Sequence, residues 1–284
     1  MAKYIISAFA DEYSKNFDTQ VEMMAKNAIP CIEPRFIDGK NISVLTPAEV
    51  KEVKAKLDAH GITAPSIGSP LGKITLDDDI DAHLETSRNV FEGANILGAK
   101  NVRVFSFYPH KDTPIADSRS EVVDKLGQMI ELAESFGVTL CHENEGKIYG
   151  ESPEACLDLM EAFGGKLKAV FDMGNFKLGG YDPLKAYELL RPHIEYFHIK
   201  DGLSAGAIVP PGKGEAKIRE ILEAFIKDAD RDIVVTLEPH LELFSGLNSL
   251  TNSKFNNPYK FESTEAAFLC ALNELRGILS SIDC

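Results

Sequence analysis

Segments rich in β-forming residues alternate with amphipathic helical segments along the chain, and this alternation limits the possible folds more than any other feature. Eight apolar runs of strand length are each followed by a stretch with helical periodicity. The predicted strands are 3–10, 29–36, 62–69, 101–108, 138–145, 167–172, 194–200 and 233–238. Strands that alternate with helices pair in parallel, and eight such units are the number that closes a barrel.

The predicted helices begin and end at recognisable signals. Thr46 and Glu49 have the spacing of a capping box. Gly98 and Gly137 follow two long helical segments, where glycine adopts the left-handed conformation that ends a helix. Because no internal repeat or linker divides the sequence, we predict one domain over residues 1–284, an α/β (β/α)8 TIM barrel. An open doubly wound sheet is the alternative.

Composition argues against nucleic-acid and membrane partners. The 284 residues include 44 acidic and 30 basic side chains, and the formal net charge of −14 repels phosphate backbones and anionic lipids. The five cysteines form no CxxC pair, the first residues lack a signal-peptide pattern, and no apolar run reaches the length of a membrane span. We therefore expect a cytoplasmic protein that acts on a small molecule.

Polar residues end four of the predicted strands, on the side where parallel barrels place their active sites. Strands five to eight supply one each: Glu143, Asp172, His198 and Glu238. Any one alone fits a helix cap, a surface residue or a structural histidine, but their common position predicts a metal site. Three carboxylates and one imidazole suit Mn²⁺ best, with Mg²⁺, Co²⁺ and Zn²⁺ as further candidates.

The sequence around these residues resembles that of the xylose isomerase-like TIM barrel superfamily, which includes sugar isomerases, sugar epimerases and endonuclease IV. The matching stretches are HENE at 142–145, FDMGN at 171–175, HIKD at 198–201 and LEP at 237–239. The resemblance implies the same four metal ligands. It also implies that Glu143 and Glu238 act as an acid/base pair on a sugar through an enediolate. Glu145 and Asn175 stand where many relatives have histidine, which leaves the substrate class open.

Six further residues are predicted to contact the substrate: Glu33, Arg35, Glu145, Asn175, Lys200 and His240. Glu33 and Arg35 share a face of the second predicted strand, and relatives often carry a similar acid–arginine pair near the substrate; an ordinary ion pair is the alternative. Lys200 shares a face with His198 and is placed to polarise a substrate oxygen or to pair with an acid. His240 is placed to orient the glutamate two residues before it, and a plain loop residue is the alternative.

Two loops have unusual sequences. Residues 211–214 (PGKG) precede a predicted helix, and backbone amides at such a helix start can hold a phosphate, although plain loop geometry explains the glycines equally well. Residues 241–263 form a long connection rich in asparagine, serine and aromatic residues. A connection of this length in a compact domain suggests a lid or a subunit contact, and hence a possible homo-oligomer.

These patterns lead to a metal-dependent sugar or polyol isomerase or epimerase as the first functional hypothesis. A dehydratase acting on a keto-inositol (an inosose) is the nearest alternative, because it needs the same enolisation step. An endonuclease IV-like phosphodiesterase would need several more histidines than the seven present and a basic DNA-binding face. A barrel that binds a sugar without turnover is the remaining alternative.

Overall fold

A curled sheet of seven parallel strands lies at the centre of the protein. The structure, a computed structural model, describes residues 2–242 and 258–282. The strands of the sheet and of two short hairpins are β1 (Tyr4–Ala8), β2 (Phe36–Ile37), β3 (Lys40–Asn41), β4 (Ser66–Ile67), β5 (Asn101–Val104), β6 (Thr139–Glu143), β7 (Leu167–Asp172), β8 (Ile194–Ile199), β9 (Asp201–Gly202), β10 (Ile208–Val209) and β11 (Ile233–Leu237). The order in the sheet is β1-β11-β8-β7-β6-β5-β4, while β2 pairs with β3 and β9 with β10.

Residues 29–36 close the barrel between β1 and β4, but they do not form a strand over the range that the sequence predicts. The backbone N–H of Glu33 donates to the carbonyl of Ala8 (3.1 Å), and that of Ile32 donates to the carbonyl of Thr63 (2.9 Å). The two prolines of this segment have no N–H, so they cannot complete a ladder of hydrogen bonds. The predicted second strand, which the sequence already shows to be interrupted by Pro30 and Pro34, is therefore reduced to an isolated bridge between Cys31 and Thr63, although the segment occupies the expected place.

Helices surround the sheet. They are α1 (Phe17–Lys26), α2 (Pro47–Ala59), α3 (Ile80–Leu97), α4 (Arg119–Phe136), α5 (Pro153–Ala162), α6 (Met173–Leu178), α7 (Pro183–Leu190), α8 (Ile218–Ile226) and α9 (Thr264–Ile282), with short 3-10 turns at Ala10–Glu12, Ile42–Val44, Ile115–Ser118, Tyr149–Glu151 and Arg191–His193. The capping box of Thr46 and Glu49 is present, and Gly98 and Gly137 end α3 and α4 in the left-handed conformation. The sequence did not predict α6, which begins directly after Asp172.

The interior of the barrel has an apolar base and a polar top. The main hydrophobic core lies between the strands and the helices, whereas Cys141, Val170 and Tyr196 form a separate buried cluster that Val234 covers. Two residues further along β6, β7 and β8, the buried side chains are Glu143, Asp172 and His198. Strand alternation therefore places the polar side chains on an apolar floor at the carboxyl ends of the strands.

Neither a lid nor a membrane segment is found in the part of the chain that the structure describes. Within residues 2–242 and 258–282, no helix combines the length and the apolar character needed to cross a bilayer. Positions 243–257 of the predicted lid or subunit contact lie outside the described residues, so that interpretation stays a prediction.

We expect His83 to make the fold sensitive to mild acid. Its Nε2 accepts a hydrogen bond from the N–H of Gly72 (2.9 Å), which requires a neutral ring, and burial lowers its pKa from 6.5 to about 4. The unfolded chain therefore binds more protons than the folded chain between pH 6.5 and 4, and stability falls as the pH falls through that window. The loss expected at pH 4.5 is about 2 kcal/mol.

Urea unfolding at pH 7.5 and pH 4.5 measures this effect. His83→Gln keeps a hydrogen-bond acceptor for Gly72 but cannot take up a proton, so this variant should lose less stability at pH 4.5 than the wild type. Exposed His60 provides the matched control, His60→Gln. An equal acid-induced loss in the wild type and in His83→Gln would contradict the assignment.

Candidate metal centre

The four predicted ligands converge at the carboxyl end of the barrel. Glu143 and Asp172 end β6 and β7, His198 lies on β8, and Glu238 directly follows β11. In the parallel register His198 lies opposite both Asp172 and Thr236. One ligand atom from each of the four lies within 4.8 Å of the others, and all four side chains are buried. Their ligation of a metal stays a prediction, but the required arrangement of donor atoms is present.

One ring nitrogen of His198 faces the cluster and the other is held from behind. Nδ1 lies 3.1 Å from Oε1 of Glu143 and 3.3 Å from Oε2 of Glu238, and within the described residues it has no hydrogen-bond partner of acceptable geometry. Nε2 lies 3.1 Å from Oε2 of Glu33. A proton on Nε2 leaves the Nδ1 lone pair directed at the carboxylates, which is the orientation that a metal-binding imidazole needs.

Glu33 is buried beneath the imidazole rather than open to the mouth of the barrel. Its carboxylate accepts hydrogen bonds from the hydroxyls of Tyr196 (2.8 Å) and Thr236 (2.7 Å) in addition to its contact with His198. Burial raises the pKa of Glu33, but His198 outweighs it and the net shift is downward. The position of Glu33 suits the orientation of the ring better than contact with a substrate.

The two predicted acid/base glutamates are held in matching ways. Oε1 of Glu143 faces His198, while its Oε2 accepts a hydrogen bond from Arg103 (3.0 Å). Oε2 of Glu238 faces His198, while its Oε1 accepts a hydrogen bond from Arg35 (2.9 Å). Each carboxylate thus directs one oxygen into the cluster and has the other fixed by a buried guanidinium.

Buried acids outnumber buried fixed positive charges in this region. Six carboxyl groups are involved: Asp11, Glu12, Glu33, Glu143, Asp172 and Glu238. The side chains with a fixed positive charge are Arg35, Arg103 and Lys200. Burial raises the pKa of Glu12 to about 8 and that of Asp172 to about 6, as expected when neighbouring acids lack counter-charges. A divalent cation would supply the charge that this arrangement lacks.

The imidazole responds to the same excess of acids. Burial opposes the charged form of His198, but Glu143 and Glu33 outweigh burial and hold its pKa well above the usual range. The raised pKa shows that the negative charges of these acids create an electrostatic potential at the ring that favours a positive charge. A bound metal ion would supply that positive charge in place of the proton.

Lys200 and Asn175 contact the predicted ligands directly. The ammonium of Lys200 donates to Asp172 (3.0 Å), to Glu238 (3.2 Å) and to the amide oxygen of Asn175 (3.2 Å). The Asn175 amide nitrogen donates to the carbonyl of Asn144 (2.9 Å). Both side chains therefore border the cluster, as expected for residues that meet a substrate there, and their substrate role stays a prediction.

Arg35 and His240 lie on the far side of Glu238. Besides Glu238, the Arg35 guanidinium contacts Asp11 (3.0 Å) and Glu12 (3.2 Å). The Nε2 of His240 lies 3.3 Å from Oε1 of Glu238, and its backbone N–H donates to Glu12 (2.7 Å). These contacts bring His240 beside Glu238, and its role in orienting that carboxylate stays a prediction. They place Arg35 as a support for the same carboxylate.

Glu145 is not a member of the cluster formed by the four predicted ligands. Its carboxylate pairs with Lys73 (2.7 Å), whose ammonium also lies 4.2 Å from the centre of the Phe105 ring. Glu145 does not join either of the potential metal-binding groups found among the described residues. A substrate contact for Glu145 stays a prediction, and the structure adds Lys73 as its partner.

The loop at 211–214 already holds an anion that belongs to the protein. The backbone N–H groups of Gly212 and Gly214 donate to Oδ2 of Asp201 (2.8 and 3.0 Å), and the N–H of Ala216 donates to Oδ1 (3.0 Å). The interpretation of this loop as a phosphate site is therefore wrong, because its amides are engaged. The loop does bind a negative charge, but that charge is the buried side chain of Asp201, three residues after the predicted ligand His198.

The sequence predicts no role for several residues at the site, although one of them, Asp201, lies in the matching stretch at 198–201. They are Asp11, Glu12, Lys73, Arg103 and Asp201. Arg103 left a readable signal, since it is a charged residue between Val102 and Val104 in an apolar strand. Asp11 and Glu12 directly follow the first strand and lie at the same barrel end as the other acids. Lys73 lies in a loop without periodicity, so no pattern marks it.

Comparison with known proteins identifies the family. The sequence model of the xylose isomerase-like TIM barrel family matches residues 21–252, which is more than half of the chain. A curated relative from Escherichia coli K12, "Uncharacterized protein YihM", is 24% identical over 186 residues, covering 64% of this chain and 52% of that protein. The chain therefore spans about half the length of the curated relative that it matches.

Three solved structures have a similar fold. D-psicose 3-epimerase in the presence of D-fructose is 16% identical with a TM-score of 0.74, over 98% of this chain and 99% of that chain. The probable 3-DHS dehydratase AsbF from Bacillus anthracis is 17% identical with a TM-score of 0.71, over 97% and 99% of the two chains. The IOLI protein with a bound zinc atom is 18% identical with a TM-score of 0.73, over 99% of both chains. At these identities the likeness shows the fold, and the predicted barrel is confirmed: the chain belongs to the xylose isomerase-like TIM barrel family.

Proposed function

We propose that this protein is a divalent-metal-dependent isomerase or epimerase of a sugar or polyol. The observation that carries the proposal is the matched pair Glu143 and Glu238, each with one oxygen beside His198 and the other on a guanidinium. Two carboxylates that flank one cation site can act on opposite sides of a substrate bound between them. The sugar epimerase among the similar folds agrees with this class of reaction.

The residues present fit a divalent ion. Glu143, Asp172, His198 and Glu238 would hold it, since the unpartnered Nδ1 of His198 and the carboxylate oxygens face one another. We keep Mn²⁺ as the expected ion because the donor set is mostly oxygen. Zn²⁺ is the alternative, because the similar IOLI structure contains a bound zinc atom. Such an ion supplies a Lewis acid that stabilises negative charge on two adjacent oxygens of a keto sugar.

Both glutamates are ionised at neutral pH and can accept a proton. Burial raises the pKa of Glu143, but His198 and Arg103 outweigh burial and lower it to about 2. Burial also raises the pKa of Glu238, which Lys200 and His240 then bring well below its ordinary value. In the proposed reaction one carboxylate removes the proton beside the carbonyl, and the other returns a proton to the neighbouring carbon or to the opposite face.

The surrounding residues divide into two roles. Lys200 and Asn175 border the cluster and are proposed to bind substrate oxygens. Arg35, Arg103 and Glu33 are proposed as positioning residues, because each holds a predicted ligand in a fixed orientation. Orientation matters because small displacements of a catalytic group reduce the rate steeply.

A dehydratase acting on an inosose is the second candidate, and Lys200 is the observation that favours it. Loss of a hydroxyl after enolisation needs a proton, which the glutamate protonated in that step can return. The Lys200 ammonium, which contacts two of the predicted ligands, can hold the departing oxygen by a hydrogen bond, because Asp172 and Glu238 outweigh burial and raise its pKa. One of the similar folds, AsbF, is a probable dehydratase. An endonuclease IV-like activity has less support, since His198 is the one histidine of the four-residue cluster and the chain carries a net charge of −14.

Solvent exchange tests the proposal without knowledge of the product. Protein loaded with Mn²⁺ is incubated in D₂O with neutral ketoses, their phosphates and inososes, and deuterium incorporation is followed by NMR and mass spectrometry. We expect incorporation at the carbon beside the carbonyl of at least one compound, accompanied by a new sugar or by a dehydrated product. Metal-free protein is the control. The proposal fails if no compound exchanges while the protein binds Mn²⁺.

A further inference from the structure

The loop after β8 holds its own carboxylate in the place where barrels of this type often hold a phosphate. Phosphate sites in parallel α/β barrels are frequently built from the loops after strands seven and eight and a helix start, and β8 is the seventh strand position of this barrel. Here Oδ1 of Asp201 accepts the N–H groups of Gly202 (2.8 Å) and Ala216 (3.0 Å). Oδ2 accepts those of Gly212 (2.8 Å) and Gly214 (3.0 Å). Four amides thus converge on one buried side chain.

The loop is shaped around that carboxylate. A Cβ atom at Gly214 would lie 2.1 Å from Oδ1 of Asp201, so only glycine allows this approach. Burial raises the pKa of Asp201, but each carboxylate oxygen accepts two N–H donors, and these four hydrogen bonds favour the ionised form. An incoming phosphate would have to displace it.

The cations near the predicted metal centre are also engaged. At the carboxyl ends of the strands, every buried or half-buried lysine and arginine near the cluster that the structure describes pairs with a carboxylate: Arg35, Lys73, Arg103 and Lys200. The lysines of these loops for which the described residues provide no ion-pair partner are exposed: Lys15, Lys111, Lys147 and Lys260. A substrate anion inside the barrel would meet paired cations and an excess of carboxylates.

We infer that the substrate is an uncharged polyhydroxy carbonyl compound, without a phosphate or carboxylate group. Neutral hydroxyls can accept hydrogen bonds from Lys200 and donate to the surrounding carboxylates without adding charge to an acid-rich cavity. A phosphate would add about two negative charges at a place where each buried cation within residues 2–242 and 258–282 already pairs with a carboxylate. The inference rests on the proposed function for the reaction, but its structural basis is the Asp201 loop and the engaged cations.

Paired substrates test the inference on the wild-type protein. With Mn²⁺ bound, deuterium exchange into D-fructose and D-ribulose is compared with exchange into D-fructose 6-phosphate and D-ribulose 5-phosphate. We expect a kcat/KM for at least one neutral ketose that is on the order of 100-fold above that of its phosphate, which corresponds to about 2.7 kcal/mol. Equal or faster exchange with a phosphorylated ketose overturns the inference.

A binding measurement separates this inference from the proposed function. Inorganic phosphate is added at millimolar concentration to metal-free wild type and to Asp201→Ala, and the melting temperature Tm is recorded. We expect no shift for the wild type and a rise of several degrees for the variant, whose four amides are released. A comparable rise in the wild type overturns the inference whether or not any sugar is turned over. So does the lack of a phosphate effect on a folded Asp201→Ala.

A third test measures ligand binding to the Mn²⁺-loaded wild type. It does not depend on whether a variant folds. The Tm is measured with millimolar D-fructose or D-ribulose and with their phosphates. Stabilisation by a neutral ketose alone supports the inference even if exchange is never observed, in which case the proposed function fails by itself. Stabilisation by the phosphates alone, or by none of the four compounds, contradicts it.

Discussion

Glu238→Gln and Glu143→Gln should each reduce deuterium exchange by about 1,000-fold or more. Removal of a general acid or base costs about 100- to 10,000-fold, and each glutamate is also a predicted metal ligand, so the two losses combine. Oε1 of Glu143 and Oε2 of Glu238 both lie beside Nδ1 of His198. An amide at either position cannot accept a proton at neutral pH.

These variants should remain folded, because the substitution relieves an excess of buried acids. Glu143→Gln leaves Arg103 with hydrogen bonds from its Nε and NH2 groups to the backbone carbonyls of Ser69 and Gly68. Glu238→Gln leaves Arg35 with Asp11 and Glu12. A similar Tm and far-UV circular dichroism spectrum would show that lost exchange reflects chemistry and not unfolding.

The matched control is Glu134→Gln, which removes an exposed carboxylate that pairs with Lys166. This variant should exchange deuterium at the wild-type rate. Rates are compared at saturating Mn²⁺, with bound metal measured by elemental analysis, so that weaker metal binding is separated from loss of the base. Exchange within tenfold of the wild type for either Glu143→Gln or Glu238→Gln would refute the acid/base assignment.

The convergence of the four predicted ligands could be predicted because it depends on local pattern and on one rule of topology. Each of them ends an apolar run, and parallel strands bring their carboxyl ends to the same edge of the barrel. The prediction therefore did not require the twist of the strands or the path of the loops to be known. Only the assignment of eight strand positions had to be correct, and residues 29–36 fill their position despite an irregular backbone.

The supporting contacts could not be predicted because they join residues across the closed barrel. Arg35 and Glu238 lie 203 residues apart, and Glu33 and His198 lie 165 residues apart. Such pairs meet only when the segment at 29–36 lies beside β1, and sequence spacing contains no information on that distance. The same limit explains why Glu33 and Arg35 were predicted as substrate contacts and were found behind the predicted ligands.

The Asp201 loop shows a different limit. Glycines before a helix correctly indicated backbone amides that can bind an anion. The sequence did not show which anion accepts their hydrogen bonds. The partner is a side chain 11 to 15 residues earlier in the chain, brought back by the β9–β10 hairpin. A short-range pattern can therefore predict an anion-binding geometry, while the identity of the anion depends on a loop path that only the folded chain reveals.

Mn²⁺ should stabilise the folded protein strongly, and Asp172→Asn should remove most of this effect. A ligand that binds only the native state at 1,000 times its Kd adds about 4 kcal/mol to the free energy of unfolding. For a chain of this size that corresponds to a rise in Tm of about 10 °C. The structural reason is the excess of buried carboxylates, which a divalent ion would offset if it binds at the predicted ligands Glu143, Asp172 and Glu238.

The metal-free protein should also lose stability as the pH rises from 6.5 to 8. Burial holds the pKa of Glu12 at about 8, above its unfolded value of 4.5, and the pKa of His198 lies well above 6.5. Groups whose folded-state pKa is raised bind more protons in the folded state, so stability falls as the pH rises towards those values. Bound Mn²⁺ should weaken this dependence, because the ion replaces the proton on His198 as the counter-charge of the acids.

Thermal unfolding of EDTA-treated and Mn²⁺-loaded protein at pH 6.5 and pH 8 measures both effects together. Asp58→Asn, which removes an exposed partner of Lys54, is the control and should keep the full metal-induced shift. Asp172→Asn deletes one buried acid, so it should raise the Tm of the metal-free protein while it reduces the response to Mn²⁺. Opposite changes of the two melting temperatures cannot arise from a general packing defect, which would lower both. If Mn²⁺ shifts the wild type and Asp172→Asn equally, the ion binds elsewhere and the proposed centre is wrong.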